Sequence, residues 1–187
     1  LSSLRAMPNL NVIRPADPIE TLECWEIALN QKNPSIISLT RQDVQTIRKD
    51  KSSKNLCEQG AYIISHGKNN KRDLTILATG SEVSIAIKSQ QILQRKNIST
   101  TVVSMPCWEI FEKQKETFKE NILGPIDRRI AIEAGSKFGW SKYLKNDKYI
   151  LGLETFGSSA PGIDLYNHFG LNTNKLVALG KKILKKK

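Results

Sequence analysis

The sequence predicts an α/β protein built on a mostly parallel sheet. Three observations carry that expectation. Short, β-branched apolar runs at residues 35–40, 74–79 and 100–104 read as buried strands. They alternate with segments of helical periodicity, at 17–30 and 82–95 for example, that are long enough to cross over between parallel strands. The composition, 39% hydrophobic and 25% charged, is that of a globular chain, and its apolar runs fall far short of the roughly 20 residues that cross a bilayer. No membrane partner is expected.

Taken in order, residues 11–14 read as a short strand ending at Pro15. Asp17-Pro18-Ile19-Glu20 then opens a helix with an aspartate cap, a proline at the first helical position and a carboxylate at the capping-box position. The helix should run to about Asn30. Leu22, Trp25, Ala28 and Leu29 recur at helical spacing, which marks them as its core face. Residues 35–40 form a buried strand that delivers Arg41 at its C-terminal end.

From residue 42 to 59 the chain is polar, rich in lysine and without periodicity, and reads as an interdomain linker. Beyond Gly60, residues 61–65 and 74–79 read as neighbouring strands joined through a Gly67-Lys68-Asn69-Asn70 turn. The first of the two is expected to run antiparallel, because the connection is too short for a helical crossover. Val83, Ala86, Ile87 and Leu93 line one face of a helix at 82–95, and residues 100–104 follow as a strand. After Pro106 come a helical stretch to about Asn121, a strand at 129–133, a short helix near 139–144, a strand at 149–153 and two closing helices.

The net charge of +11 is unevenly spread. Residues 175–187 carry six lysines and no acid, residues 41–54 carry five bases against Asp43 and Asp50, and residues 66–73 carry three bases against Asp73. The remainder is neutral. Without aromatic residues interleaved among these bases, solvated faces are favoured over a polyanion contact, and no nucleic-acid partner is expected. Cys24, Cys57 and Cys107 are odd in number and form no CxxC pair, which excludes a zinc ribbon or redox pair and suits a cytoplasmic protein. His66 and His168 are the only histidines and are far apart, so a histidine metal site is not expected.

Several motifs carry possible chemistry. Thr79-Gly80-Ser81-Glu82 follows a strand and opens a helix, where free N–H groups can hold phosphate, but it lacks a glycine-rich signature and suits an ordinary helix cap better. Glu133 in Glu133-Ala134-Gly135 ends a strand, and hydrogen bonding at a domain contact is favoured over acid–base work. The Gly- and Ser-rich loop at 156–162 is a structural turn rather than a nucleophile elbow, since GxSxG is absent. His168, just before Gly170, suits a helix C-terminus. Arg41 is the strongest binding candidate, because a guanidinium at a strand end can clamp a phosphate with two hydrogen bonds. A surface or interdomain salt bridge fits Arg41 equally on these grounds.

The strings Leu4-Arg5-Ala6-Met7-Pro8-Asn9, Val12-Ile13-Arg14-Pro15-Ala16-Asp17 and Leu39-Thr40-Arg41-Gln42 resemble the end of the pyrimidine domain of transketolases. Ala78-Thr79-Gly80-Ser81-Glu82-Val83, Val103-Ser104-Met105-Pro106, Ile132-Glu133-Ala134-Gly135 and Phe156-Gly157-Ser158-Ser159-Ala160-Pro161 resemble the C-terminal domain of the same family, in the same order. The resemblance implies a pyrimidine-domain remnant at residues 1–45, a linker at 46–59, and at 60–187 a Rossmann-like C-terminal domain whose mostly parallel sheet has about five strands. It implies a homodimeric enzyme that uses thiamine diphosphate and a divalent metal, magnesium or calcium, to move a two-carbon ketol unit between sugar phosphates in the pentose phosphate pathway. Arg41 then matches the family's substrate-phosphate arginine, while no catalytic, cofactor-binding or metal-binding residue is expected within the chain. A chain of this span should be a C-terminal fragment, inactive by itself. The alternative is a non-catalytic regulatory or interaction module derived from the same family.

Overall fold

The structure is a computed structural model that describes residues 1–48 and 54–185. Two sheets organise it. The first is a parallel pair, β1 (Asn11–Ile13) and β2 (Ser35–Ile37), preceded by the short helix α1 (Ser2–Arg5) and joined by α2 (Pro18–Asn30). The start of α2 is fixed as its sequence requires: the Asp17 carboxylate accepts the Glu20 N–H at 2.8 Å, and Glu20 reaches back to the Ala16 N–H at 2.7 Å.

The second sheet has five strands in the order β3-β5-β4-β6-β7, namely β3 (Tyr62–Ser65), β4 (Leu74–Ala78), β5 (Thr100–Ser104), β6 (Arg129–Ser136) and β7 (Ile150–Leu153). All neighbours are parallel except β3, which runs antiparallel to β5. The expected mostly parallel α/β sheet is therefore present. The expected pairing of the 61–65 and 74–79 strands is not: β5 lies between them. Both edges of β4 are taken by the parallel partners β5 and β6, leaving β3 the outer edge of β5.

Strand alternation sends side chains to two cores. Leu74, Ile76, Val102, Ile130 and Ile132 meet α3 (Glu82–Arg95) and α7 (Thr173–Leu184), through Val83, Ala86, Leu93, Leu176 and Ile183. Gly180 lets α7 lie close, since a Cβ there would stand 2.7 Å from Leu74 Cδ2. On the other face Leu77, Val103 and Ala131 meet an aromatic cluster of Trp108, Phe111, Trp140 and Tyr143. The single helix expected after Pro106 is instead two, α4 (Trp108–Glu112) and α5 (Glu116–Leu123). The segment at 140–142 is one turn of 3-10 helix, and α6 (Gly162–Phe169) precedes α7.

Two expectations for the first unit need correction. The strand after α2 spans only three residues and is half-exposed rather than buried, because the described residues cover only one of its edges. Most of the expected core face of α2 points outward: Leu22, Trp25 and Leu29 are 72%, 50% and 78% exposed, and only Ala28 of the expected set packs on the core. Glu20, Cys24 and Ile27 face inward, packing with Cys57, Tyr62 and Ile110. Of the 46–59 segment, residues 49–53 lie outside the described residues, as do Lys186 and Lys187 of the basic tail. On either side of that gap the chain packs onto α2. Asp17 accepts the N–H groups of Ile47 and Arg48, Arg48 pairs with Glu23, and a 3-10 turn at Leu56–Gln59 buries Cys57.

Candidate functional site

The first unit meets the second along the C-terminal ends of β4, β5 and β6. β1 makes the contact with its backbone. The Arg14 N–H donates to the Pro106 carbonyl at 2.8 Å, and the Gly80 N–H donates to the Arg14 carbonyl at 3.1 Å. These bonds leave the Arg14 side chain over the sheet end, where Gly80 (φ +61°) brings backbone against it; a Cβ at Gly80 would lie 2.8 Å from Arg14 Cζ. The Thr79-Gly80-Ser81-Glu82 turn thus holds a guanidinium rather than a phosphate.

Around Arg14 lies a buried cluster of two arginines and two glutamates. Arg14 Nη1 is 2.9 Å from Glu82 Oε2 and 3.1 Å from Glu133 Oε1. Arg5 grips Glu133 with two bonds of 2.8 Å while its guanidinium lies 3.7 Å over the Trp108 ring, and Trp140 Nε1 donates to Glu133 at 2.8 Å. Burial disfavours charge on Glu133, but the bonds and positive charge of Arg5 and Arg14 outweigh it and lower its pKa below the ordinary value. For Arg14 burial likewise opposes charge, and Glu82 and Glu133 more than compensate, raising its pKa. With all its lone pairs engaged, Glu133 is a structural acceptor at the contact between the units.

Arg41 sits in a different environment. Past β2 the chain is tied by the Ser38 N–H to the Ile13 carbonyl at 2.8 Å, then bends through Thr40, Arg41 and Gln42. Arg41 is exposed and makes no hydrogen bond or ion pair with any described residue. Beside it opens a cleft of about 180 Å3 lined by Arg14, Ser38, Thr40, Gln42, Gly80 and Tyr166. On the far wall the Tyr166 hydroxyl donates to Glu82 at 2.6 Å.

The other sequence candidates fall into place without chemistry. The 154–161 loop is exposed, and His168 stands in the last turn of α6, which ends on Gly170 at φ +71°. All three cysteines are buried and free. Among the described residues no cluster of three or more His, Cys, Asp or Glu side chains could hold a metal ion, and no helix is long and apolar enough to cross a membrane. The carboxylates of Glu20, Glu82 and Glu133 are engaged by protein donors, so they do not fit a diphosphate-bearing metal. Sequence reasoning missed Arg5, Arg14 and Tyr166 as members of one network. The sequence signals were the placement of Arg14 at a strand end and Glu82 at a helix start, with Glu133 expected to hydrogen-bond at a domain contact, as it does with Arg5, Arg14 and Trp140.

Fold and cluster together define a multidomain α/β protein in which a β-α-β segment is locked by buried ion pairs onto the sheet end of a second unit. Comparison with known proteins sharpens this. Residues 60–172 match the Transketolase-like TK C-terminal domain, and residues 1–46 match the transketolase pyrimidine binding domain. The chain belongs to the transketolase family. It is 47% identical over 188 residues to the transketolase of Sinorhizobium medicae (strain WSM419), covering 100% of this chain and 27% of that protein. To the transketolase of Bacillus subtilis (strain 168) it is 42% identical, covering 100% of this chain and 28% of that protein. The solved structure of transketolase from Leishmania mexicana superposes with a TM-score of 0.87 at 36% identity, covering 99% of this chain and 27% of that one. The chain spans about a quarter of the length of these relatives.

Proposed function

We propose that this chain works as the C-terminal part of a transketolase, in which Arg41 binds the phosphate of the sugar substrate. The enzyme transfers a two-carbon ketol unit from a ketose phosphate to an aldose phosphate, as a homodimer, with thiamine diphosphate and a divalent metal held by residues outside this chain. One observation carries the role of Arg41. Of the arginines near the junction, Arg5, Arg14 and Arg48 are each neutralised by a carboxylate, while Arg41 is exposed in the bend four residues past β2 and pairs with no described residue. An arginine kept free of protein partners retains its full fork of donors for an anion.

The residues of the chain then divide the work. The Arg5, Arg14, Glu82 and Glu133 cluster fixes the two units against each other, and the Thr40–Gln42 bend presents Arg41 to solvent beside the cleft. Binding energy from the remote phosphate orients the reacting end of the sugar and contributes to transition-state stabilisation. The bound cofactor supplies the electron sink for the carbon–carbon chemistry.

Steady-state kinetics of Arg41→Ala in the full-length enzyme test the assignment. Loss of a bidentate, charge-assisted contact of about 2 to 4 kcal/mol lowers kcat/KM for phosphorylated donors by roughly 30- to 1,000-fold. A non-phosphorylated ketol donor should lose far less. Equal losses on both donors would mean that Arg41 supports the fold rather than the phosphate.

A further inference from the structure

Tyr166 is not part of any expected site, yet its hydroxyl ties α6 to two other stretches of the chain, the 81–82 helix start and Gln42. It donates to Glu82 Oε1 at 2.6 Å, lies 2.9 Å from Ser81 Oγ, and accepts a hydrogen bond from Gln42 Nε2 at 3.3 Å. The single phenolic proton goes to the carboxylate, the strongest acceptor within reach, which leaves the oxygen lone pairs for the Gln42 amide. Glu82 is itself held by Arg14 and by the Ala134 N–H, so the phenol is anchored on the buried ion cluster. Gln42 is the residue after Arg41. Its N–H donates to Thr40 Oγ1 at 3.4 Å, and its side chain rests on α6, where a Cβ at Gly162 would meet Gln42 Oε1 at 3.3 Å.

The bend carrying Arg41 is therefore tethered to the second unit at the neighbouring residue, while the guanidinium itself pairs with no described residue. We infer that Tyr166 is a positioning residue for Arg41: through Gln42 it holds the 40–42 bend in place before substrate arrives, so that less ordering is required when phosphate binds. The inference rests on the phosphate-binding role of Arg41 and assigns the α6 helix of the C-terminal unit a part in substrate affinity.

The test compares Tyr166→Phe, Gln42→Ala and Arg41→Ala, singly and combined, in the full-length enzyme. The readout is the ratio of kcat/KM for a phosphorylated ketose donor to that for a non-phosphorylated one. Tyr166→Phe and Gln42→Ala should each lower this ratio by about 3- to 10-fold, chiefly through KM. In the Arg41→Ala background neither should lower it further, since they act through the side chain already removed. Gln42 is exposed, so its variant keeps the test sound even if loss of the phenol weakens the fold. If Arg41→Ala is selective for phosphorylated donors but the other two leave the ratio unchanged, positioning is refuted while the phosphate contact stands. If Arg41→Ala leaves the ratio unchanged, the phosphate contact fails and takes this inference with it.

Discussion

Glu20 and Glu133 are both fully buried near the junction of the two units, yet they hold their protons in opposite ways. Burial pushes the Glu20 carboxyl above its ordinary value of 4.5 and outweighs the bonds from the Ala16 N–H and the Tyr62 hydroxyl. For Glu133 the arginines overcome the same burial and hold it below 4.5. The folded state thus binds the Glu20 proton more tightly than the unfolded chain does. That contribution is complete below pH 4.5 and is lost as pH rises through the raised folded value. The Glu133 contribution is complete above pH 4.5 and is lost as pH falls through the lowered folded value. Urea unfolding between about pH 2 and pH 8, which covers the windows of both groups, reads the difference. Relative to wild type, Glu20→Gln should gain stability as pH rises. Glu133→Gln should lose it, by about 3 kcal/mol or more near neutrality, because Arg5 is left without an anion. Variants that tracked wild type in parallel across this range would contradict both assignments. Arg41 stood out in the sequence as the end of an expected 35–40 strand, whereas the observed strand stops at Ile37 and Arg41 lies in the bend beyond it. The role of Glu133 at a domain contact was also legible, but its pairing and that of Glu82 with Arg14 were not, since the two carboxylates lie 119 and 68 positions away and no local pattern encodes their approach.

At the scale of elements, periodicity marked where strands and helices lie but not what they face. The five strands of the larger sheet stood out because three of them, β4, β5 and β6, are largely buried runs with parallel partners. The location of β3 did not, because edge pairing depends on which neighbours β4 recruits. In α2 the regular spacing of Leu22, Trp25 and Leu29 is real, yet the helix turns that stripe outward and buries a mixed face around Cys24 and Ile27. The capping arrangement of Asp17 and Glu20 explains part of this, since it draws Glu20 inward at the first turn. Unfolding of the chain should show the inversion directly. Leu29→Ala should change stability by less than about 0.5 kcal/mol. Ile27→Ala, only 6% exposed, should cost about 2 to 5 kcal/mol. The reverse order would return the helix to the orientation its periodicity suggested.

At the scale of the whole molecule, the largest share of the excess positive charge, six lysines, falls in residues 175–187. Along α7 Leu176, Leu179 and Ile183 are buried, while Lys175 and Lys182 are exposed. Contact with the Lys96 ammonium lowers the pKa of Lys181, as expected where like charges crowd a solvated face. Binding of a labelled oligonucleotide should therefore be weak, indifferent to sequence and steeply dependent on salt. If three phosphates are neutralised, affinity should drop by more than about tenfold between roughly 50 and 200 mM salt. Tight, salt-resistant binding would mark the basic face as a functional surface. The central claim concerns the junction, where two units are locked together and Arg41 pairs with no described residue. A structure of the full-length enzyme with a bound ketose phosphate tests it most directly. The account predicts two Arg41 nitrogens about 2.7 to 2.9 Å from phosphate oxygens, with Gln42 still on the Tyr166 hydroxyl. A substrate phosphate held elsewhere, with Arg41 paired to a protein carboxylate, would contradict it.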